Sequence, residues 1–543
     1  MITDPDILCG TRSFLRLNFR RIREVLRSQL IVIALIIVFS FASSALIGWI
    51  AGPPAPQLTD EFSYLLAADT FAHGRLTNAT HPLWMHFESL HVIQRPTYMS
   101  KYPPAQGLIL AAGQVIGGHP IIGVWLSFAV MCGAIAWMLY AWLPPRWAVL
   151  GALLAIINPQ LGIAGYWAQS YWGGAVAATG GALVLGGLRR LMRQPRMRTS
   201  LALAIGLAIL ANSRPYEGLF LGLSAVIYLS VWMLGKRGPT LLLSTRQVVM
   251  PILMVLGLTG MAMGYYNYRV TGNAFRLPYQ IHEETYAVTP LFVWQSLRPE
   301  PRYRHEDIRE YHTRYVRDGY LQQLSITGLA HKASKIASAL TWQFLNVYLL
   351  PIIAVLPLFL RWAWHSLWAR FALFTSSLVL CAVLVEVHWA VHYLAPITAL
   401  NYFLIVSAMR WCRYQQKTFG RVVVAGVALL AVLALMASLQ TRTEMDDSLS
   451  WSAQRARLLA QFRREDGRHL LVVRYHTNDS RHPVWEYNEA DIDSAKVIWA
   501  RTMNQHQNCT LVKYFNDRHI WSVDISGDQS KPSVKVAQVN FCT

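Results

Sequence analysis

Apolar runs long enough to cross a bilayer recur along this chain from residue 30 to residue 440. A membrane-spanning helix needs about 20 predominantly apolar residues, because the hydrocarbon core is about 30 Å thick. Only 14% of the 543 residues are charged, whereas 54% are hydrophobic. Because lipid offers no partners to backbone polar groups, such runs are expected to be helical. The chain is therefore predicted to be an all-α polytopic membrane bundle.

The first run, Leu30 to Ile50, follows a basic segment at 1–29 that carries six arginines. The run is too long for a signal peptide and lacks a small-residue cleavage site. Positively charged short flanks stay in the cytoplasm, so we expect a cytoplasmic N-terminus. Further spans are expected at 120–142, 147–164, 172–188, 200–213, 219–235, 246–264, 341–360, 371–388, 394–409 and 422–439.

With about eleven spans, every basic cluster between them falls on the cytoplasmic side of the cytoplasmic membrane, and the C-terminus is expected outside. These clusters account for the formal net charge of +20. They form neither a basic face nor a nucleic-acid-binding motif. Membrane lipids are therefore expected partners, and nucleic acid is not.

The membrane domain is expected to cover 30–440, with a first external loop at 51–119 and a second large external segment at 265–340. In the first loop, residues 60–72 are expected to form a helix lying on the membrane surface, with Thr59 as a plausible N-cap. A second interfacial or re-entrant helix is expected at 103–118, because this apolar stretch is too short to span comfortably.

The tail at 441–543 is expected to fold outside as a small α/β domain. Its strands are predicted at 469–475, 496–501 and 519–525, with an intervening helix at 508–517. Cys509 and Cys542 are its only cysteines. An external location permits a disulfide between them, and two unpaired thiols are the alternative.

Asp60 and Glu61 stand shortly after the first span, at the start of the predicted surface helix. Acidic residues in a first helical turn commonly satisfy free amides and the helix dipole, which is the structural interpretation. The same surroundings favour the ionised carboxylate that a general base needs. The two interpretations are compatible.

The motif "KYPP", residues 101–104, also has two interpretations. Its prolines are expected to start the next helix, and Lys101 then extends toward the headgroups. Alternatively, Lys101, with Tyr102 beside it, lies where a lysine holds a lipid phosphate as a point charge.

Arg214 and Glu217, in "NSRPYEG", lie where a short span meets the outside. They form either an interfacial ion pair or a site for an anionic headgroup. In "EVHWAVHY", His388 and His392 share a face if this piece is helical, and Glu386 is near. That spacing permits a divalent metal ion, but interfacial histidines are preferred because a third ligand is not close in sequence.

No P-loop, dinucleotide fingerprint, nucleophile elbow or CxxC pair occurs in the sequence, so nucleotide-driven chemistry is unsupported. The order of the polar motifs instead resembles the polytopic lipid-phosphate-sugar-dependent glycosyltransferases of the GT-C type. That superfamily contains the protein mannosyltransferases and the bacterial aminoarabinose transferases. The likeness is carried by Asp60-Glu61 after the first span, Tyr64, Gly74, "KYPP" and the late "HYLAP", which contains His392 and Tyr393.

The resemblance covers roughly residues 30–410 in architecture, and "NSRPYEG" and the tail look like features of a bacterial subgroup. It implies a cavity at the outer membrane face where a polyprenyl-phosphate-linked sugar meets a lipid, glycan or protein acceptor. Asp60 would match the catalytic aspartate, Glu61 its neighbour and Lys101 the lysine near the donor phosphate. Arg214 is a further candidate for the phosphate, and inversion at the sugar is expected.

Two other classes of function are compatible with the composition. A transporter or flippase of a lipid-linked saccharide would place polar residues near span centres and repeat its topology, and neither pattern is evident. A non-catalytic membrane scaffold would use the tail to bind an external partner. Such a scaffold should tolerate Asp60→Asn and fail without the tail.

Overall fold

The computed structural model describes residues 28–236, 238–348, 350, 353, 356–415, 417–444, 450–476, 485–527 and 532–542. The predicted cytoplasmic segment at 1–29 therefore lies almost entirely outside the described residues, as does Arg237 of one basic cluster. The predicted orientation of the termini stays a prediction.

The described chain is mostly helical. Its first helices are α1 (Gln29–Ala51), α2 (Thr59–Ala72), α3 (Pro104–Gly117), α4 (Pro120–Trp142), α5 (Pro145–Ile156), α6 (Tyr166–Gln169), α7 (Ala175–Arg193), α8 (Met197–Ala211), α9 (Pro215–Leu234), α10 (Leu241–Thr271) and α11 (Pro278–Tyr286). They are followed by α12 (Glu306–Glu310), α13 (Arg317–Gln323), α14 (Ile326–Ala339), α15 (Leu356–His365), α16 (Leu367–Val385), α17 (Val391–Gln415), α18 (Lys417–Glu444), α19 (Trp451–Arg464) and α20 (Gln505–Tyr514). A π-helical turn, Tyr311–Val316, joins α12 to α13.

Among the described residues, seven helices are long and apolar enough to cross a membrane. They are α1, α4, α9, α10, α16, α17 and the Thr418–Gln440 part of α18. The expected total of about eleven is therefore not confirmed. The spans predicted at 147–164 and 200–213 are the shorter apolar helices α5 and α8.

Local sequence explains why α5 is short. Helix α5 ends before Asn158, because Pro159 disfavours the α conformation in the residue before it. The side chain of Asn158 then accepts the backbone N–H groups of Gln160 and Leu161. The span predicted at 341–360 begins instead with a π-helical turn, Leu340–Leu345, and Asn346 has a left-handed φ of 45°.

The core of the bundle is built on α4 and α7, whose small residues permit close helix packing. A Cβ placed on Gly180 of α7 would lie 2.9 Å from the carbonyl oxygen of Gly206 on α8, and one on Gly206 would lie 2.7 Å from that of Gly180. Gly180 and Gly206 therefore permit the close packing of α7 against α8.

The segment 51–119, predicted as the first external loop, contains a small antiparallel sheet that was not predicted from the sequence. Its strands are β1 (Asn78–Ala79), β2 (Val92–Ile93) and β3 (Thr97–Ser100), in the order β1-β3-β2. Helix α3 follows directly and begins at Pro104, as "KYPP" predicted. Strand β3 therefore delivers Lys101 and Tyr102 to the start of α3.

The tail forms an α/β layer as expected. Strands β4 (Arg468–Tyr475), β5 (Val497–Arg501), β6 (Arg518–Ser526) and β7 (Ser533–Gln538) form a sheet in the order β5-β4-β6-β7. The first three strands are parallel, which requires crossovers such as α20, and β7 is antiparallel to β6. The three predicted strands and the helix are confirmed, and β7 was missed. Cys509 and Cys542 are joined by a disulfide bond.

The tail packs on the first loop and shares one hydrophobic core with it. Phe62 of α2 stacks on Tyr487 with ring centroids 4.4 Å apart. The guanidinium of Arg501 donates two hydrogen bonds to Asp307, at 2.8 and 2.7 Å, and one to the carbonyl of Glu88 at 2.6 Å. The Arg501 side chain is only 3% exposed, and Glu486 lies 3.4 Å away. This ion-pair group joins the tail to the segments 51–119 and 265–340.

We expect Arg501→Gln to destabilise the docked tail by about 3–5 kcal/mol, because it leaves the buried Glu486 and the half-buried Asp307 without their cation. Thermal unfolding in detergent should show a lower Tm, and limited proteolysis should release the tail. Arg463→Gln is the matched control, since the Arg463–Glu489 pair is 54% and 52% exposed and such pairs contribute about 0–1 kcal/mol. Equal effects of the two substitutions would contradict this account of docking.

Candidate active site

Five separate parts of the chain meet at the N-terminal end of α2. They are α2 with Asp60, the end of β3 with Lys101 and Tyr102, Arg214 before α9, α11 with Glu283, and the start of α17 with Tyr393. The structure therefore brings together most of the residues that the sequence analysis selected from distant motifs.

Asp60 lies at the centre of this group. The hydroxyl of Tyr102 donates a hydrogen bond to its Oδ1 atom, and its side chain is 25% exposed. Desolvation by burial raises the pKa of Asp60, while the charges of Lys101 and Arg214 and the side chain of Trp172 act to lower it. A carboxylate with a raised pKa between two cations is suited to accepting a proton.

Glu61 faces away from this group and binds backbone. Its Oε2 atom accepts the N–H groups of Gln57 and Leu58, at 2.6 and 2.9 Å, and its Oε1 atom accepts that of Tyr171 at 2.8 Å. Burial raises the pKa of Glu61, and these three donors oppose the rise. The prediction of Thr59 as the N-cap was wrong. The cap position is Leu58, and the side chain of Glu61 accepts the backbone amides at the start of the helix.

The expectation that α2 lies on the membrane surface also needs correction. Its residues Phe62, Leu66 and Ala67 are buried as well as Tyr64 and Ala68, so both sides of the helix are covered. Helix α3 packs along one side, and the tail covers another through Phe62. The helix is enclosed because the tail supplies a second apolar surface.

Lys101 does not extend toward solvent or headgroups. Its Nζ atom lies 3.2 Å from Oε1 of Glu283, and the two side chains are 7% and 4% exposed. The ammonium also lies over the rings of Tyr279 and Tyr102, at 4.8 and 5.5 Å from their centroids. The carboxylate of Glu283 and the two aromatic rings therefore hold the Lys101 ammonium in place within the site.

Arg214 supplies the second cation. Its guanidinium lies 4.3 Å from the ring centroid of Tyr393 and 3.9 Å from Oε1 of Glu217. Its charge also acts on Tyr64, whose ring stacks on that of Tyr102 with centroids 4.6 Å apart. The aromatic side chains therefore connect the two cations around Asp60.

The predicted helical face shared by His388 and His392 is absent. Residues 386–390 are not helical, since Glu386 forms an isolated bridge with Phe292, and His392 lies in a 3-10 turn. His392 packs edge-on against Trp172, with ring centroids 4.4 Å apart. Within the described ranges, no three His, Cys, Asp or Glu side chains are grouped so as to hold a metal ion.

A further polar group lies beside Arg214. Burial and the charge of Glu217 raise the pKa of Glu386 well above its ordinary value. Lys332 donates hydrogen bonds to the backbone carbonyl of Glu386 and to Gln323, and burial lowers its pKa to about 8. This part of the site contains carboxyl groups that are enclosed yet not fully paired.

Two side chains of the site were missed from the sequence. Glu283 belongs to "HEET" at 282–285 in the second external segment, and its adjacent acidic pair was a usable signal. His91, whose Nε2 atom lies 3.6 Å from Oδ1 of Asp60, carries no sequence signal. Its role follows only from the conformation of the first loop.

An open cleft of about 630 Å³ lies on the other side of α11 and does not contain Asp60. It is lined by Thr80, Arg95, Pro96, Thr271, Arg276 and Ile281. Ile281 faces this cleft, whereas Glu283, two residues along the same helix, faces Lys101. Helix α11 therefore separates the cleft from the polar group.

No protein-family model and no curated protein sequence matches this chain. Among solved structures, ArnT from Cupriavidus metallidurans in the apo state aligns with a TM-score of 0.51 and 14% identity, over 92% of this chain and 97% of that chain. The same protein bound to undecaprenyl phosphate aligns with a TM-score of 0.52 and 11% identity, over 93% and 99%. The expected GT-C resemblance is confirmed at the level of the fold.

The buried Lys101–Glu283 pair is expected to stabilise the fold in a pH-dependent way. Burial alone would raise the pKa of Glu283, but Lys101 and His282 hold it well below the ordinary value of 4.5. A carboxyl group with a depressed pKa stabilises the folded state above its unfolded-state pKa. This stabilisation is lost as the pH falls through the folded-state pKa.

We expect Glu283→Gln to cost about 3–5 kcal/mol at neutral pH, because Lys101 is left buried without a partner. The difference in Tm from wild type should persist down to the ordinary glutamate pKa and shrink only below it. Glu284→Gln is the matched control, because the Arg276–Glu284 pair is 44% and 53% exposed. A difference that is independent of pH down to strong acid would contradict the assignment.

Proposed function

We propose that this protein is a membrane glycosyltransferase that moves a sugar from a polyprenyl-phosphate-linked donor to an acceptor hydroxyl group or similar nucleophile. The observation that carries the proposal is the placement of Asp60 beside Lys101 and Arg214 within a GT-C fold. ArnT, which this chain resembles in fold, has been solved bound to undecaprenyl phosphate, and that ligand supports a lipid phosphate as the leaving group here.

Asp60 is the proposed catalytic base. An acceptor hydroxyl is a weak nucleophile, and a positioned carboxylate that takes its proton as the new C–O bond forms contributes about 10²–10⁴-fold. Tyr102 occupies Oδ1 of Asp60, which leaves Oδ2 for the acceptor proton. Glu61 has a positioning role, because its oxygens are bound by three backbone amides.

Lys101 and Arg214 are the proposed binding groups for the donor phosphate, together with Tyr102. As the bond between the sugar and the phosphate breaks, its electron pair stays with the polyprenyl phosphate, whose negative charge grows. Fixed cations in an enclosed site stabilise that charge without reorganising at the moment of reaction. Glu283 and Glu217 hold these cations in place before the donor arrives.

Tyr64, Tyr393, Glu217, His388 and His392 are proposed to line the space around the sugar. The aromatic rings of Tyr64 and Tyr393 flank Arg214, and such flat faces suit the apolar faces of a sugar ring. We further propose that the site faces the outside of the cytoplasmic membrane. There the isoprenoid chain remains in lipid while its phosphate reaches the interface.

We expect Asp60→Asn to reduce sugar transfer by about 10²–10⁴-fold while the protein stays folded, because the amide cannot accept the proton. The measurement is release of polyprenyl phosphate from a panel of polyprenyl-phosphate sugars, with membrane-extract acceptors. Asp318→Asn, at an exposed position paired with Arg317, is the control and should keep wild-type activity. If Asp60→Asn releases polyprenyl phosphate as fast as wild type, Asp60 is not the catalytic base. If wild type releases it from none of the donors, the protein is not a transferase of this kind.

The transferred sugar is expected to have inverted anomeric configuration. Retention requires a second carboxylate free to attack the sugar, and the neighbouring Glu61 is bound to backbone on both oxygens. A single displacement by the acceptor should therefore occur. NMR of the product anomer tests this, and a retained configuration would contradict the single displacement.

A further inference from the structure

His91 has a backbone conformation that is uncommon for a residue other than glycine. Its φ angle is 66°, in the left-handed region where a Cβ atom is crowded. Three contacts hold this conformation. The carbonyl of His91 accepts the hydroxyl of Ser63 at 2.6 Å and the N–H of Lys101 at 3.2 Å, and Ser63 is hydrogen bonded to Ser100 at 2.8 Å.

The consequence of this conformation is the direction of the imidazole ring. Its Nε2 atom lies 3.6 Å from Oδ1 of Asp60, and the side chain is 10% exposed. The ring lies 5.9 Å from that of Tyr102. Its Nδ1 atom is buried and has no hydrogen-bond partner in the described part of the chain. Strained residues of this kind are concentrated at functional sites, where the surroundings enforce them.

We propose that His91 is a positioning residue for Asp60, in which the Nε2–H group of a neutral imidazole points at Oδ1 from 3.6 Å and closes to a hydrogen bond in the complex with substrates. Tyr102 and His91 then share Oδ1, and Oδ2 is directed toward the acceptor hydroxyl. The inference rests on the proposed function, because it assigns a partner to the proposed base. It moves no proton itself, since the acceptor proton goes to Oδ2 of Asp60.

The neutral state follows from the surroundings of the ring. Burial lowers the pKa of His91 well below its ordinary value, and the nearby charge of Lys101 lowers it further. A neutral imidazole carries one N–H group. When that group is on Nε2, the unpaired Nδ1 is an acceptor without a donor. Burying a neutral nitrogen acceptor without a hydrogen bond costs less free energy than burying a charged imidazolium.

The other titratable and charged groups around Asp60 and His91 are unchanged when only His91 is substituted. They are Glu61 and Tyr64 on α2, Lys101 and Tyr102 after β3, Arg214 before α9, His282 and Glu283 on α11, Tyr311 and His312 in the π-helical turn, Tyr393 on α17 and Tyr487 in the tail. A change in pH dependence on substitution of His91 therefore reports the loss of its own hydrogen bond.

The decisive variant is His91→Gly, because glycine adopts the left-handed backbone without strain and leaves space for a free imidazole. We expect kcat to fall roughly 10- to 100-fold, as for a lost hydrogen bond to a charged group. The acid limb of the kcat profile, which reports the enzyme–substrate complex, should move to higher pH, because a carboxylate that loses a donor is protonated more easily. KM for the donor should change little, and added imidazole should restore both the rate and the limb.

His91→Asn is the comparison, since asparagine tolerates the left-handed region but is too short to reach Asp60. It should lose activity and show the shifted limb without rescue by imidazole. If His91→Gly does not fold, the acid limb of the pH profile of His91→Asn tests the inference. An unmoved acid limb, or a loss that imidazole does not reverse in folded His91→Gly, would overturn the inference.

Measuring Asp60→Asn in parallel distinguishes a failure of the proposed function from a failure of the inference about His91. If Asp60→Asn transfers sugar as fast as wild type, the proposed base is wrong and the role of His91 fails with it. If Asp60→Asn is inactive while His91→Gly matches wild type in rate and pH profile, only the inference about His91 is wrong.

Discussion

The carboxylate of Glu61 fixes the start of α2 by hydrogen bonds to backbone amides, and the geometry of the candidate site depends on these bonds. It binds the amides of Gln57 and Leu58 before the helix and that of Tyr171 from a distant turn. These bonds fix the first turn of α2 against the bundle, so the next residue back, Asp60, is directed toward Tyr102 and the cations. Glu61 therefore has a structural role that orients Asp60, the proposed catalytic base.

Pairing of enclosed charges also fixes the other parts of the site. Charges enclosed in a helical bundle are tolerated when each has a partner. Lys101 is paired with Glu283, Arg214 with Glu217, and Arg501 of the tail with Asp307. The first two pairs hold cations where a lipid phosphate is proposed to bind, and the third holds the tail over the first loop. The tail thereby becomes part of the wall around α2.

Much of the architecture was predictable because it depends on local pattern. Long apolar runs predicted the seven helices that are able to span a membrane, and short runs rich in β-branched and aromatic residues predicted β4, β5 and β6. The misses arose where distant contacts override the pattern. Residues 60–72 look amphipathic alone, yet the tail covers them. The segment after Val385 looks helical, yet Glu386 bridges to Phe292.

The sequence by itself determined that the chain is a membrane bundle with an α/β tail, and the family resemblance pointed to Asp60 and Lys101, with Arg214 as a further candidate. Hydrophobicity and periodicity suffice for the first, since they act over neighbouring residues. Tertiary structure decided which carboxylate is free, because Glu61 is bound by Tyr171, 110 residues away. It also decided that Lys101 pairs with Glu283, 182 residues away, and that His91 faces Asp60. Such contacts depend on how the folded segments meet, which no local pattern encodes.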